Sequence, residues 1–198
     1  MGPMRVVGGR LRGRRLVAPP GQGTRPTTDR VRESLFNILA HGLAHGQADG
    51  DAPLEGARVL DLFAGSGALG IEAISRGAAF CLFVETGAAA RGAIRENTEA
   101  LDLNGVTRLH RRSATSLGTK PPGMGEPFTL AFLDPPYGKG LIEPTLDGLS
   151  RGGWLATGAR LVCEQPKGEA APGLDGFSVT DERAFGDISV RFLSYDPR

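Results

Sequence analysis

Residues 58–70 read Arg58-Val59-Leu60-Asp61-Leu62-Phe63-Ala64-Gly65-Ser66-Gly67-Ala68-Leu69-Gly70, and this stretch decides the fold. It opens as a short apolar run rich in branched residues, the pattern of a strand buried on both faces. The run breaks at Gly65 and Gly67, then continues through Ala68, Leu69, Ile71, Glu72, Ala73 and Ile74 with the apolar spacing of a helix packed on a sheet. Strand, glycine turn and helix open a nucleotide-type binding unit. Glycines let the backbone approach a ligand, and the amides of the helix N-terminus point at it.

The rest of the chain repeats the unit. Strands are expected at 58–63, 79–85, 107–113, 128–133 and 159–165, and helices at about 68–76, 88–101 and 142–149. The segment 114–127, with Pro121-Pro122-Gly123, reads as a loop. Repeated β-α-β units imply an α/β fold with a mostly parallel sheet and helices on both faces. Residues 177–183 and 188–195, joined through Ala184-Phe185-Gly186-Asp187, close the chain as an antiparallel hairpin. Upstream, Thr27 or Thr28 can cap a helix whose apolar face is Val31, Leu35, Ile38 and Leu39, with Arg30 and Arg32 on its surface. The expected organisation is a basic arm (1–24), a helix and linker (25–57) and the main domain (58–198).

At 198 residues and 40% apolar composition the chain can bury a real core. No run approaches a membrane span, and no apolar signal segment follows the basic N-terminus, so a cytoplasmic protein is expected. Cys81 and Cys163 sit in expected buried strands as small hydrophobes; His41, His45 and His110 are scattered, so no metal is expected. The net charge of +1 hides an asymmetry. The first 32 residues hold eight arginines (Arg5, Arg10, Arg12, Arg14, Arg15, Arg25, Arg30, Arg32) against one acid, Asp29. Two readings remain open: a solvated tail, or an arm gripping a polyanion, for which the planar guanidinium fork is suited. Gly8-Gly9 and Gly13 between two short extended candidates make a small hairpin plausible, too short to fold alone.

In such sheets a ligand lies across the carboxyl ends of the strands, where Asp61, Phe63, Ala64, Gly65, Ser66, Gly67, Glu85, Ser113, Ala114 and the segment Asp134-Pro135-Pro136-Tyr137 all fall. The glycine turn alone suits two cofactors. Gly65-x-Gly67-x-x-Gly70 with Glu85 downstream satisfies the dinucleotide fingerprint. Asp61 inside the strand favours S-adenosylmethionine instead: its ammonium needs an acceptor, whereas a pyrophosphate would be repelled. Asp134-Pro135-Pro136-Tyr137 then weighs heavily. The prolines stiffen the backbone, so the Pro135 carbonyl and the Asp134 carboxylate can accept the two hydrogens of an exocyclic amine. Holding both directs the nitrogen lone pair at a methyl donor, and Tyr137 offers a face on which a base can stack. Hydride transfer has no evident need for this tetrad.

With these residues in hand, the chain resembles the bacterial 16S ribosomal RNA guanine-N2 methyltransferase family. The resemblance is carried by residues 4–16 (Met4-Arg5-Val6-Val7-Gly8-Gly9-Arg10-Leu11-Arg12-Gly13-Arg14-Arg15-Leu16), by 25–37 (from Arg25-Pro26-Thr27-Thr28-Asp29 to Asn37), by the glycine turn and by the tetrad. It implies a Rossmann-like, seven-stranded methyltransferase fold with an N-terminal basic β-hairpin arm, and S-adenosylmethionine as cofactor. It further implies direct methyl transfer to guanine N2 by Asp134, Pro135, Pro136 and Tyr137, on 16S rRNA within an at least partly assembled small subunit. The turn, Asp61, Glu85, Ser113, Ala114 and Thr28 would hold the cofactor. Arg5, Arg10, Arg12, Arg14, Arg15, Arg25 and Arg32 would contact RNA, and a monomer is expected. Two positions depart from the pattern: Ser113 stands where Asn or Asp is usual before Ala, and Thr86-Gly87 replaces an Asp usual soon after Glu85. The rivals are a DNA adenine-N6 methyltransferase, since the tetrad fits either amine, and a catalytically silent RNA-binding assembly factor.

Overall fold

The computed structural model describes residues 4–20, 29–40 and 54–197. Arg25 and Thr28, expected at the RNA and cofactor sites, lie outside them. Seven strands form one sheet: β1 (Arg58–Leu62), β2 (Phe80–Val84), β3 (Thr107–His110), β4 (Phe128–Leu133), β5 (Leu155–Pro166), β6 (Phe177–Phe185) and β7 (Ile188–Tyr195). Their order is β3-β2-β1-β4-β5-β7-β6. The first five are mutually parallel, while β7 runs antiparallel to β5 and to β6. The helices are α1 (Asp29–Ala40), α2 (Ala68–Ser75), α3 (Ala88–Ala100) and α4 (Ile142–Arg151).

The two-residue period of each strand divides its apolar side chains between two cores. Val59, Phe83 and Phe132 join Phe36 and Leu39 of α1 and Ile71 and Ile74 of α2 on one face. Leu60, Leu62, Leu82 and Leu133 join Leu146 and Leu149 of α4 and the fully buried Trp154 on the other. This is why the strands read as unbroken apolar runs rather than alternating ones. The expected elements are present, with three differences. β3 stops at His110, so Ser113 and Ala114, expected to end the strand at 113, lie in the turn beyond it. β5 begins at Leu155, where Leu155 pairs with Phe128 and the register then shifts; Gly158, at φ 77°, lies in the shifted stretch and takes a conformation other residues resist. The expected loop 114–127 contains two short 3-10 turns, Ala114–Ser116 and Pro122–Met124.

β1 is flanked by β2 on one side and β4 on the other, so the chain reverses its direction of travel across the sheet between them. That reversal opens a crevice at the carboxyl ends of β1 and β4. At Gly70 on α2, a Cβ would lie 2.5 Å from both Cys81 Sγ and a Phe83 ring carbon. Gly70→Ala should therefore force α2 off the sheet and destabilise the protein by about 1–3 kcal/mol; chemical denaturation checks this, and an unchanged midpoint would show that α2 shifts freely.

The arm lies on the body. Arg5 bridges Arg15 in antiparallel fashion, the Leu16 amide donates to the Met4 carbonyl (2.9 Å), and a 3-10 turn at Gly9–Leu11 closes the hairpin. Too small to bury its own side chains, it inserts Val6, Leu11 and Leu16 into the main core. Its amides meet polar side chains buried on the helices: Val7 donates to Glu72 (2.8 Å), Leu11 to Ser75 Oγ (2.9 Å) and Val17 to Asn97 Oδ1 (2.7 Å). This excludes the solvated-tail reading for residues 4–17.

Arg32 lies inside the protein and not on its surface. Expected on the RNA-contacting surface, it is 1% exposed. Its guanidinium donates to Asp29 Oδ1 (2.8 Å) and to the Arg5 carbonyl, so it ties α1 to the arm instead. Cys81 and Cys163 are buried thiols, as expected; burial pushes Cys163 up to about 12, and raises Cys81 together with the nearby Asp61. Among the described residues no helix is long and apolar enough to cross a membrane, and no His, Cys, Asp and Glu cluster could hold a metal ion.

Candidate active site

The site is assembled from the carboxyl ends of adjacent parallel strands. After β1 the chain turns through Phe63 (φ 61°), Gly65 (φ 56°) and Gly67 (φ 79°). A left-handed phenylalanine is strained, and such residues gather at ligand sites. Three side chains fix the turn. Asp61, 2% exposed, accepts the Gly70 amide through Oδ2 (2.9 Å) and so ties α2 back to β1. Glu85, just beyond β2, accepts the Gly65 amide through Oε2 (2.9 Å) and the Gly87 amide through Oε1 (2.7 Å). Asn97 of α3 donates through Nδ2 to the Ser66 carbonyl (2.9 Å) and to the Val17 carbonyl (3.0 Å). One amide thus joins the turn to the arm. Nothing in the sequence marks Asn97, which sits among charged residues on an amphipathic helix.

Asp134 and Tyr137 follow β4. Pro135 is buried, Pro136 exposed, and Tyr137 is 47% exposed. The Tyr137 hydroxyl donates to Glu164 Oε1 on β5 (2.6 Å). Glu164, absent from the expected set, is buried inside β5; its signal is an acid directly after the apolar run Leu161-Val162-Cys163, much as Glu85 follows the run of β2. A cavity of about 120 Å³ opens here, lined in part by Pro135, Tyr137, Glu164 and Gln165. Ser113 accepts the Thr115 amide (3.3 Å) and caps the turn at Ala114–Ser116, with Ala114 buried beside it.

These ends are neighbours in the sheet, with Leu62 paired to Val84 on one side and to Leu133 on the other. The Asp61 carboxyl is held well above the usual range, chiefly by burial; the Gly70 amide opposes this, and Asp134 and Glu85 add repulsion. Asp61 lies next to the end of β1 while Glu85 and Asp134 follow its two neighbouring strands, a grouping of acids that suits a ligand carrying positive charge better than a pyrophosphate. Outside it, Arg5, Arg10, Arg12, Arg14 and Arg15 are exposed on the docked arm, and Arg14 also donates to the Ala100 carbonyl (2.9 Å). Arg108, Arg111 and Arg112 add exposed positive charge near the end of β3. His110 is held below its usual value by burial, then by Arg112 and Arg108.

A parallel sheet reversed at the glycine turn and completed by β7 antiparallel between β5 and β6 defines the class: a Rossmann-like methyltransferase fold. Within that class, the chain matches over residues 4–194 the family described as Conserved hypothetical protein 95, and it belongs to that family. It is 36% identical to Ribosomal RNA small subunit methyltransferase D of Escherichia coli, over 96% of this chain and 89% of that protein. Its counterpart of the same name in Haemophilus influenzae is 30% identical, covering 96% and 93%. The solved structure of yhhF from Escherichia coli matches with a TM-score of 0.80 at 37% identity, over 100% of both chains.

Proposed function

We propose that this protein transfers a methyl group from S-adenosylmethionine to the exocyclic N2 of a guanine in small-subunit 16S rRNA, within an at least partly assembled subunit. The observation that carries this reading is the Asp134-Pro135-Pro136-Tyr137 turn following β4 directly beside the glycine turn that follows β1, since Leu62 pairs with Leu133. Relatives named as ribosomal RNA small subunit methyltransferases support the substrate class.

The donor set fits the cofactor. Glu85 suits ribose hydroxyls, Asp61 suits an ammonium, and the turn's amides and Ala114 would border the remainder. Bound S-adenosylmethionine supplies an electrophilic methyl on a sulfonium. The Asp134 carboxylate and the Pro135 carbonyl would accept the two N2 hydrogens, turn the nitrogen lone pair toward that methyl, and stabilise positive charge developing on nitrogen. Pro136 stiffens the turn, and Tyr137 stacks on the extruded base. Transfer would be direct: as the N–C bond forms and the C–S bond breaks, S-adenosylhomocysteine would leave, and the proton lost from nitrogen would pass to the Asp134 carboxylate and on to solvent. Residues 1–24 act as an RNA-gripping arm, 25–57 as a helix and linker contributing Thr28 and Arg25, and 58–198 as the catalytic domain of a cytoplasmic monomer.

The test is methyl transfer from isotope-labelled S-adenosylmethionine to unmethylated small subunits, protein-free 16S RNA and duplex DNA, with the product nucleoside identified by mass spectrometry. Labelled N2-methylguanosine from subunits is expected. N6-methyladenine from DNA would keep the fold and overturn the substrate, and cofactor binding without transfer would favour a silent binding factor.

The arm makes a separate prediction. Phosphate contacts supply affinity and salt dependence but not base identity. Replacing Arg10, Arg12, Arg14 and Arg15 by alanine should weaken RNA binding and reduce the slope of log affinity against log salt by about 0.7–0.9 per lost contact. Filter binding across a salt series checks this; an unchanged slope would leave the arm a packing element only.

A further inference from the structure

The tetrad offers acceptors to any exocyclic amine and cannot by itself tell guanine from adenine. We infer that Glu164 makes that choice, by accepting the N1–H of a guanine seated in the cavity beside Tyr137; this rests on the guanine-N2 reading above. Leu133 of β4 pairs with Cys163 of β5, so Asp134, just past the end of β4, and Glu164 of β5 each follow a member of that pair. Glu164 lines the same cavity as Pro135 and Tyr137 and is 7% exposed. A carboxylate held there loses most of its hydration, and the Tyr137 hydroxyl at 2.6 Å restores one bond to Oε1. A carboxylate accepts about four hydrogen bonds, so it can take a ligand donor beside the tyrosine.

The edge of guanine carries the matching donors. N2–H2 and N1–H are adjacent donors on one side of the ring. With the amine held by Asp134 and Pro135, the N1–H faces the neighbouring position along the sheet edge, the one Glu164 supplies. Adenine carries a lone pair at its N1, which a carboxylate repels. The Tyr137–Glu164 bond also holds the ring that stacks on the base, so the stacking face and the edge-reading acceptor form one unit.

The experiment uses the full-length protein and reconstituted small subunits. At the guanine that the unaltered enzyme methylates, 2,6-diaminopurine is installed; it keeps the 2-amino group but has a lone pair at N1. The unaltered enzyme should prefer guanine by about 100-fold or more in kcat/KM, as sites built to bond a donor do. Glu164→Gln can donate its amide to that lone pair, so its preference should shrink at least tenfold, with diaminopurine turnover rising. Tyr137→Phe keeps the carboxylate and should lower kcat on both substrates while preserving the preference. Equal use of both bases by the unaltered enzyme, or an unchanged preference in Glu164→Gln, overturns the inference while leaving guanine-N2 methylation intact. No transfer to guanine-bearing subunits refutes that underlying reading, and this inference with it.

Discussion

Asp134→Ala should lower methyl transfer by about a thousandfold or more while leaving S-adenosylmethionine affinity within about threefold of the unaltered protein. The two effects separate because Asp134 follows β4, whereas the glycine turn follows β1 and Glu85 follows β2. Its proposed work is on the amine: it holds one N–H and stabilises the positive charge that grows on nitrogen as the methyl arrives. The cofactor would keep Glu85, Asp61 and the turn's amides. Removing Asp134 even relieves part of the repulsion that Asp61 feels. Single-turnover kinetics and equilibrium dialysis on the same preparation read both quantities. Asp134→Asn sharpens the test: it retains an acceptor oxygen but loses the charge, so turnover should fall between alanine and the native residue. Normal turnover in Asp134→Ala would refute the tetrad mechanism.

How far the sequence led depends on what kind of signal each residue carries. The parallel sheet is legible because strands covered on both faces must be apolar throughout, and helices between them repeat at a different period. The candidate site is legible where the chemistry demands an unusual residue at a strand end: Asp61, Glu85, Asp134 and the two prolines. Glu164, an acid directly after an apolar run, carries a similar signal, but no motif draws attention to it. Asn97, Glu72 and Ser75 carry none. Polar residues on a helix read as a solvent face, and only docking of the arm makes them buried partners of backbone amides. Arg32 fails in the opposite sense. An arginine in a basic segment reads as exposed, yet Arg32 is buried, with one guanidinium nitrogen donating to Asp29 and to the Arg5 carbonyl. Both failures share a cause: burial of a polar group is decided by a partner distant in sequence.

The second large effect concerns Asp61, where stability and cofactor affinity should move in opposite directions. Its folded pKa is held well above the ordinary aspartate value, by burial first and by Asp134 and Glu85 after it. The folded protein therefore retains a proton that the unfolded chain has lost, over the window between the two values. By linkage, stability falls as pH rises from about 4, the unfolded aspartate value, through the raised folded pKa. Asp61→Asn keeps an oxygen that can accept the Gly70 amide but carries no charge. It should abolish this pH-dependent loss and raise the melting temperature of the ligand-free protein near neutral pH above that of the unaltered protein. The same replacement removes the charge proposed for the cofactor's ammonium, so S-adenosylmethionine affinity should fall about tenfold or more. In the unaltered protein affinity should climb with pH as Asp61 ionises, while apo stability declines; in Asp61→Asn both profiles should lose that dependence. Denaturation and calorimetric titration across pH 5 to 8 measure the two curves. A variant unchanged in both would reduce Asp61 to a tie between β1 and α2, and the ammonium acceptor would have to be sought elsewhere in the crevice. Opposed shifts would mean that the fold tolerates a destabilising carboxylate because the ligand needs its charge.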